Sequence, residues 1–122
     1  MYASESLALA ALEYLVNVDP ETAPAGLVAI AAVIPDELAI KRLSAGELPR
    51  NWRGLPAPTQ LAVLGTKWAD SLQTAVLQVP SVVVPQESNF ILNPRHPNFS
   101  KIVVLAPVDF AFDARVWKKR PR

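Results

Sequence analysis

The chain has 122 residues, a formal net charge of +1, one histidine and no cysteine. This length predicts a single domain over residues 1–122, and the near-zero charge argues against direct binding of nucleic acid. The lack of cysteine excludes disulfides and thiol chemistry, the lone histidine argues against a histidine-rich metal site, and no apolar run reaches the length of a membrane span. We interpret the C-terminal basic residues, Lys118, Lys119, Arg120 and Arg122, as a solvated tail.

The N-terminal stretch MYASESLALAALEYLV predicts a helix and not a targeting signal. It lacks the basic start of a signal peptide, and the absence of cysteine fits a reducing compartment, so we expect a cytoplasmic protein. Ser4 or Ser6 can cap the helix because a short hydroxyl side chain accepts from the free amides of a first turn. We expect the helix to run to about Asn17, with Pro20 and Pro24 marking its exit.

Strand signals dominate the rest of the chain, with one further helix. The segment 60–72 has apolar residues at helical spacing, and Thr59 is placed to cap it. Residues 44–58 and 93–100 are expected to form turn-rich connections. Strands are predicted at 26–34, 37–43, 74–79, 82–84, 89–93, 101–108 and 109–113. Because strand, helix and strand do not alternate regularly, this order predicts an α+β fold with a mixed or curved sheet that carries helices.

Glu13 is the only charged residue between Glu5 and Asp19, in a helix that is otherwise nearly apolar. A carboxylate near apolar surface is costly unless it has partners or a catalytic task. The alternative is that Glu13 faces water beside Ser6 and Asn17, which share its side of the helix. Judged from these residues alone, both interpretations stay open.

Ser81 lies between two apolar runs, VLQVP and VVV. A serine acts as a nucleophile only beside a base. The chain has no G-x-S-x-G motif, and the lone His96 lies in a proline-bracketed loop, so a Ser–His hydrolase has little support. Ser81 can instead hydrogen-bond a ligand or cap a turn. The pairs Asn93-Pro94 and His96-Pro97 are typical of turns.

Five segments of the chain stand in the order of a known family. They are YASESLALAALEYLV (2–16), LPRNWRGLPAP (48–58), GTKW (65–68), LQVPSVVVPQESNFILNPRHPNF (77–99) and FAFDARVW (110–117). Together they cover most of the chain and resemble the RES domain family, the toxin half of RES–Xre toxin–antitoxin pairs. The resemblance implies an ADP-ribosyltransferase-like fold with central sheets and flanking helices. It also implies an enzyme that consumes NAD+ as its substrate, with no bound cofactor and no metal.

The resemblance further implies roles for individual residues. The family is named for an arginine, a glutamate and a serine; Glu13 in A-L-E-Y-L matches the glutamate and Ser81 in V-P-S matches the serine, which assigns both to catalysis. Tyr2 matches a tyrosine of the nicotinamide-nucleotide pocket. Asn89 and Asn93, in the P-x-E-x-N-x-x-L-N-P block, are assigned to substrate binding. Cleaving the nicotinamide–ribose bond creates an oxocarbenium-like centre, which a nearby carboxylate can stabilise.

One part of the family pattern has no counterpart in this sequence. The family carries an arginine-bearing segment before Y-x-S-E, whereas this sequence opens at Met1-Tyr2. Guanidinium groups bind phosphate through paired, charge-assisted hydrogen bonds. We therefore expect an N-terminally short form of the domain, with weaker NAD+ binding and an open sheet edge.

Three functions follow as alternatives. The first is a toxin that cleaves the nicotinamide–ribose bond of NAD+ by hydrolysis or phosphorolysis. The second is a mono-ADP-ribosyltransferase that modifies a cellular protein, and the third is a catalytically impaired fragment that only binds an antitoxin. Under each, we expect an Xre-type helix-turn-helix antitoxin as partner and no membrane partner. A homo-oligomer of this chain within the toxin–antitoxin complex is a further alternative.

Overall fold

The computed structural model describes residues 1–18 and 25–117. Pro20, Pro24 and the C-terminal basic cluster, for which the sequence made predictions, lie outside the described residues. The helices are α1 (Leu7–Leu15) and α2 (Thr59–Ser71), with short 3-10 turns at Ala45–Glu47, Pro97–Lys101 and Ala114–Trp117. The strands are β1 (Tyr2–Ser4), β2 (Val28–Ala29), β3 (Ala32–Val33), β4 (Ile40–Arg42), β5 (Val76–Pro80), β6 (Ser88–Leu92), β7 (Val103–Val104) and β8 (Val108–Asp109).

A four-stranded mixed sheet in the order β1-β6-β5-β4 organises the described residues. β4 runs parallel to β5, while β5 and β1 both run antiparallel to the central β6. Two further antiparallel ribbons pair β2 with β8 and β3 with β7. The combination of helices with mixed sheets confirms the predicted α+β class.

The two faces of the four-stranded sheet differ because side chains alternate along each strand. Along β6, Phe90 and Leu92 point to one face, and Asn89 and Ile91 to the other. The first face, here called the core face, packs Leu92 against the apolar cluster Leu38, Ala75, Val76 and Ile102. The second, here called the cleft face, carries Asn89 and Ile91 with their cross-strand partners Tyr2, Ser4, Leu77 and Val79.

The strongest burial lies on the paired strands β5 and β6. Val76, Leu77 and Leu92 are at most 1% exposed, and burying one such apolar side chain contributes roughly 1.5–3 kcal/mol. Because Val76 faces the core and Leu77 faces the cleft, β5 is held from both sides. The cleft face of the sheet is therefore built on a rigid pair of strands.

The helix starts were predicted with mixed success. Ser6 caps α1, its side-chain oxygen accepting from the Leu9 amide at 3.1 Å, while Ser4, the other candidate, lies in β1. The prediction that Thr59 caps α2 is wrong, because Pro58 occupies the cap and Thr59 is the first helical residue. Proline suits the start of a helix, because the backbone N–H that it lacks would have no hydrogen-bond partner within the helix.

The strand predictions needed corrections in number and extent. The strand Tyr2–Ser4 was not predicted, because three residues are too few to show alternation. The predicted strand 26–34 is two short strands, β2 and β3, and the predicted strand 101–108 is likewise interrupted between β7 and β8. Of the predicted strand 109–113, only Asp109 is in a strand. The loop predicted at 93–100 contains the 3-10 turn that begins at Pro97.

The predicted strand 82–84 is a bend, and its cause is the preceding serine. The amides of Val83 and Val84 both donate to the hydroxyl oxygen of Ser81, at 3.1 and 3.0 Å. Amides bound to a side chain two or three residues back cannot join a strand ladder. Three valines therefore turn the chain here in spite of their strand propensity.

Candidate active site

Glu13 and Ser81 meet through a short hydrogen bond on the cleft face. The hydroxyl of Ser81 donates to Oε1 of Glu13 at 2.6 Å, and the side-chain amide of Asn89 donates to the same oxygen at 2.9 Å. The hydroxyl of Ser4 donates to Oδ1 of Asn89 at 2.7 Å. We call these four residues the carboxylate cluster. It brings together three of the predicted site residues and adds Ser4, to which the sequence assigned no role in a site.

Strand register places each member of the carboxylate cluster. Ser4 of β1 lies directly opposite Asn89 of β6, and Val79 of β5 lies opposite Asn89 on its other side. Ser81 follows β5 immediately and is tied back by its amide, which donates to the Glu87 carbonyl at 2.8 Å. Two residues separate β1 from helix α1, which brings Glu13 to Ser81 and Asn89. The four residues thus come from two distant parts of the sequence joined by β1–β6 pairing.

Ser81 is enclosed. It has no exposed surface, and its hydroxyl donates to Glu13 while accepting from the amides of Val83 and Val84. One donor and two acceptor sites are all that a hydroxyl has. The Ser81 hydroxyl therefore has no bonding site left for a further partner, and it holds Glu13.

A cleft of about 170 Å³ opens beside the carboxylate cluster. Drug-sized ligand pockets are typically several hundred Å³, so this cleft has room for one flat ring and not for a whole dinucleotide. Among the described residues it is lined by Tyr2, Glu13, Leu43, Leu48, Trp52, Leu61, Leu64, Gly65, Leu77, Val79, Pro80, Val82, Asn89 and Ile91. Two aromatic side chains and one carboxylate in an otherwise mainly apolar lining suit a flat, cationic ring.

Tyr2 stands at the mouth of this cleft with 72% of its surface exposed. Its pKa is raised, first because the surrounding chain removes part of the hydration of the phenol and second because the negative charge of Glu13 opposes ionisation. The phenol is therefore neutral at physiological pH, and its ring is available for stacking.

Arg53 is a second residue that the sequence left without a role. Its Nε donates to the carbonyl of Val82 at 3.0 Å, and Val82 lines the cleft one residue after Ser81. Trp52, the neighbour of Arg53, lines the same cleft. The guanidinium thus lies at the cleft wall. The sequence signal for it was the segment LPRNWRG, which contains two arginines, Arg50 and Arg53, and no spacing that singles one out.

Asn93 is not part of the carboxylate cluster. It lies beyond the end of β6, where its amide nitrogen donates to the Ala69 carbonyl at 3.0 Å and its amide oxygen accepts from the Arg95 amide at 3.1 Å. The first bond ties the chain after β6 to α2, and the second is local to the turn that follows β6. The predicted role of Asn93 in substrate binding therefore has no geometric support from these contacts, whereas Asn89 lies in the cleft.

A wider groove of about 700 Å³ runs along β1 and the core face. Its lining is mainly apolar and includes Phe90, Leu92, Ile34 and Val108. One of its carboxylates, Glu5, accepts from the Ser88 amide. The groove has no set of polar groups converging on one point, which is what fixes a small ligand, so the smaller cleft is the better candidate site.

Comparison with known proteins identifies the family. The model of the RES domain matches residues 1–113. The chain belongs to the RES domain family. RES domains are ADP-ribosyltransferase-like, which agrees with the predicted fold and with the observed α+β architecture.

Several members of the RES family are similar to this protein over nearly the whole chain. One is "Prs ADP-ribosylating toxin" of Sphingobium sp. (strain YBL2), 35% identical over 121 residues, which are 98% of this chain and 75% of that protein. Another is "Toxin Res" of Yersinia enterocolitica, 37% identical over 117 residues, 95% of this chain and 76% of that protein. A third, "Toxin Res" of Photorhabdus laumondii, is 31% identical over 121 residues, which are 98% of this chain and 77% of that protein.

Neither a metal cluster nor a membrane helix occurs in the part of this RES chain that the structure describes. Over residues 1–18 and 25–117, no three His, Asp or Glu side chains are grouped to hold a metal ion. In the same ranges, no helix combines the length and apolarity required to cross a bilayer.

Proposed function

We propose that this chain is a toxin that consumes NAD+ by cleaving its nicotinamide–ribose bond, through hydrolysis or phosphorolysis. The observation that carries the proposal is the fixed carboxylate of Glu13, held by Ser81 and Asn89 beside a cleft with room for one ring. The names of two relatives called Toxin Res support a toxin, and the name of the ADP-ribosylating toxin supports chemistry that starts from NAD+. NAD+ enters as substrate, and the proposal includes no bound cofactor.

The reaction requires charge stabilisation more than it requires a nucleophilic side chain. When the bond between ribose C1′ and the pyridinium nitrogen breaks, its electron pair neutralises the nicotinamide and leaves positive charge on the ribose. A carboxylate aimed at that carbon stabilises the developing charge. Water or phosphate then forms the new bond to C1′, and water releases a proton to solvent. Glu13 fits this role, and the enclosed Ser81 needs no covalent intermediate.

The aromatic residues of the cleft would hold the leaving group. Tyr2 and Trp52 both line the cleft that contains Glu13, and an aromatic face attracts a cationic ring such as the pyridinium of NAD+. After cleavage the nicotinamide is neutral, so this attraction weakens and the product can leave. Because the cleft has room for one ring, the diphosphate and adenosine would extend along the surface outside it.

Transfer of ADP-ribose to a cellular protein is the second candidate, favoured by the relative named an ADP-ribosylating toxin. It uses the same bond cleavage with a protein side chain as acceptor. Labelled NAD+ in cell extract separates the two: label on a discrete protein band supports transfer, whereas label confined to small molecules supports degradation.

We also propose that the toxin acts in the cytoplasm and is held inactive there by an Xre-type helix-turn-helix antitoxin. The relatives named Toxin Res favour an antitoxin partner in general, and the Xre type comes from the family resemblance. Co-purification with the antitoxin encoded beside the toxin gene tests this. A complex that forms while calorimetry detects no NAD+ binding to the isolated toxin would favour the alternative of an impaired chain that only binds the antitoxin.

The decisive experiment measures nicotinamide release from NAD+ by chromatography, with and without phosphate. Purified chain should release nicotinamide, and Glu13→Gln should reduce the rate at least ~100-fold, since removing one preorganised electrostatic contact costs about that much. Glu37→Gln is the matched control, because Glu37 is exposed in a turn before β4 and does not line the cleft. No release above buffer in either condition would refute NAD+ cleavage, and equal rates in both variants would refute the role of Glu13.

A further inference from the structure

Both hydrogen bonds to the Glu13 side chain converge on one of its two oxygens. Oε1 accepts from Ser81 at 2.6 Å and from Asn89 at 2.9 Å, whereas no described residue donates to Oε2. A carboxylate can accept about four hydrogen bonds. Two donors on one oxygen therefore fix the plane of the group and leave the other oxygen for a ligand.

The direction of every hydrogen bond in the carboxylate cluster is fixed by two groups, the backbone amides that only donate and the Glu13 carboxylate that only accepts. Backbone amides donate to the Ser81 hydroxyl, so its own proton must go to Glu13. The carboxylate only accepts, so Asn89 must present its NH₂ end to Glu13 and its carbonyl end to Ser4. Ser4 donates to that carbonyl at 2.7 Å. A hydrogen bond to the carbonyl oxygen polarises an amide and strengthens its N–H donors.

We propose that Ser4 and Asn89 form a positioning pair: Ser4 fixes the orientation of the Asn89 amide, and Asn89 then holds Oε1 of Glu13 so that Oε2 faces the cleft. The inference rests on the proposed NAD+ cleavage and names residues that serve it without touching the substrate. It gives Asn89 a different task from the substrate contact predicted from sequence. It also explains why a serine stands at this point of β1, since Ser4 lies directly opposite Asn89 in the β1–β6 register.

The first test replaces Ser4. Ser4→Ala removes the donor to Asn89 and should lower kcat roughly 3- to 10-fold, the range set by the loss of one hydrogen bond, with KM for NAD+ unchanged. Ser4→Thr keeps the hydroxyl on a residue that suits a strand and should restore kcat to within about twofold. Ser100→Ala is the matched control, because Ser100 is exposed in the 3-10 turn after His96 and does not line the cleft.

The second test replaces the amide of Asn89 by an acid. In Asn89→Asp, a protonated acid can still donate to Glu13, whereas two ionised carboxylates repel each other. Activity relative to the unmodified chain should therefore be highest at acidic pH and fall as pH rises. In the described cleft the other titratable group is Tyr2, which stays neutral in this range, and Arg53 at the Val82 carbonyl keeps its charge throughout. A purely structural defect would lower activity equally at every pH.

A measurement that does not depend on turnover separates this inference from the proposed function. In a nuclear magnetic resonance experiment, the side-chain NH₂ of Asn89 should exchange slowly with solvent, and Ser4→Ala should accelerate the exchange while Ser100→Ala leaves it unchanged. Unaltered exchange and unaltered kcat in Ser4→Ala would overturn the positioning pair. Absence of nicotinamide release by the unmodified chain would instead overturn the proposed function, and the exchange result would still decide whether Ser4 orients Asn89.

Discussion

The hydroxyl of Ser81 donates to the carboxylate of Glu13 across 2.6 Å, although the two residues are 68 positions apart in the chain. The two elements that carry them meet only because β1 pairs with β6 and β6 pairs with β5. The serine is fully buried and its hydroxyl uses all its bonding sites. We therefore expect Ser81 to support Glu13 and not to act as a nucleophile.

Ser81→Ala should therefore reduce both stability and activity. The change leaves the amides of Val83 and Val84 without their acceptor and removes one of two donors to Glu13. Leaving buried polar groups unpaired costs about 1–3 kcal/mol each. Denaturant unfolding should show a loss of this order, and nicotinamide release should fall while the KM for NAD+ changes little.

Mass spectrometry of the chain during turnover checks the same point from the chemical side. Because Ser81 has no exposed surface, no ADP-ribose should be attached to it at any time. Ser88→Ala is the control for the Ser81→Ala substitution, since the Ser88 hydroxyl accepts from Gln78 on the core face of the sheet and does not contact Glu13. A covalent adduct on the peptide containing Ser81 would show that the serine attacks the substrate after all.

The sequence was informative where one residue's own chemistry decides the structure. The Ser6 cap, the apolar strands β5 and β6 and the isolation of Glu13 in α1 could all be recognised in this way. The bend after Ser81 could not, because valine propensity favours a strand and only the tertiary position of the hydroxyl reveals that it captures the next two amides. Short strands such as β1 exist through pairing with β6, which no local pattern encodes.

The two asparagines of NFILN show the same limit within the site. Asn89 and Asn93 are four residues apart, so a continued strand would have placed both on the cleft face. β6 ends at Leu92, however, and Asn93 turns toward α2, where it binds the Ala69 carbonyl and the Arg95 amide. The end of a strand decides which of two identical side chains reaches the Glu13 carboxylate, and strand ends are set by pairing partners.

Tyr2 supplies a prediction about ionisation. Its pKa lies above the ordinary tyrosine value of about 10, first because of lost hydration and second because of Glu13. Glu13→Gln should therefore lower the pKa of Tyr2 only part of the way to the ordinary value. Phenolate absorbance can be followed in a Tyr14→Phe background, since Tyr2 and Tyr14 are the two tyrosines of the chain.

The same shift fixes the sign of a stability effect. The folded chain holds the Tyr2 proton more tightly than the unfolded chain does, so the contribution of Tyr2 to stability is complete below the ordinary tyrosine pKa. It is lost as pH rises through the raised pKa. A Tyr2→Phe variant should lose less stability than the unmodified chain over that alkaline range. A Tyr2 pKa that does not respond to Glu13→Gln would mean that the two side chains are not close in solution.

Leu77 and Leu92 form a matched pair for separating the cleft from the core. Both are 1% exposed, Leu77 on the cleft face of β5 and Leu92 on the core face of β6. Substitution of either by alanine should lower the free energy of unfolding by about 2–5 kcal/mol. Only Leu77→Ala enlarges the cleft beside Glu13, so only that variant should also raise the KM for NAD+. Equal changes of KM in both would place the substrate elsewhere.

We expect Arg53 to bind the diphosphate of NAD+. Its Nε is anchored on the Val82 carbonyl at the cleft wall, and the rest of a guanidinium can bind phosphate oxygens in pairs. Arg53→Gln should weaken NAD+ binding roughly 10-fold or more, as expected for the loss of a hydrogen bond to a charged group. Binding of nicotinamide riboside, which lacks phosphate, should be unchanged. Calorimetry in a Glu13→Gln background avoids turnover during the measurement.

The comparison of two ligands also separates phosphate binding from a structural role of Arg53. If the arginine only held the bend at Val82, its loss would displace Ser81 and weaken both ligands alike, because Ser81 supports the Glu13 carboxylate in either case. Arg50→Gln, in the same connection and equally exposed, is the control and should affect neither ligand. An unchanged affinity for NAD+ in Arg53→Gln would mean that the diphosphate lies away from this wall of the cleft.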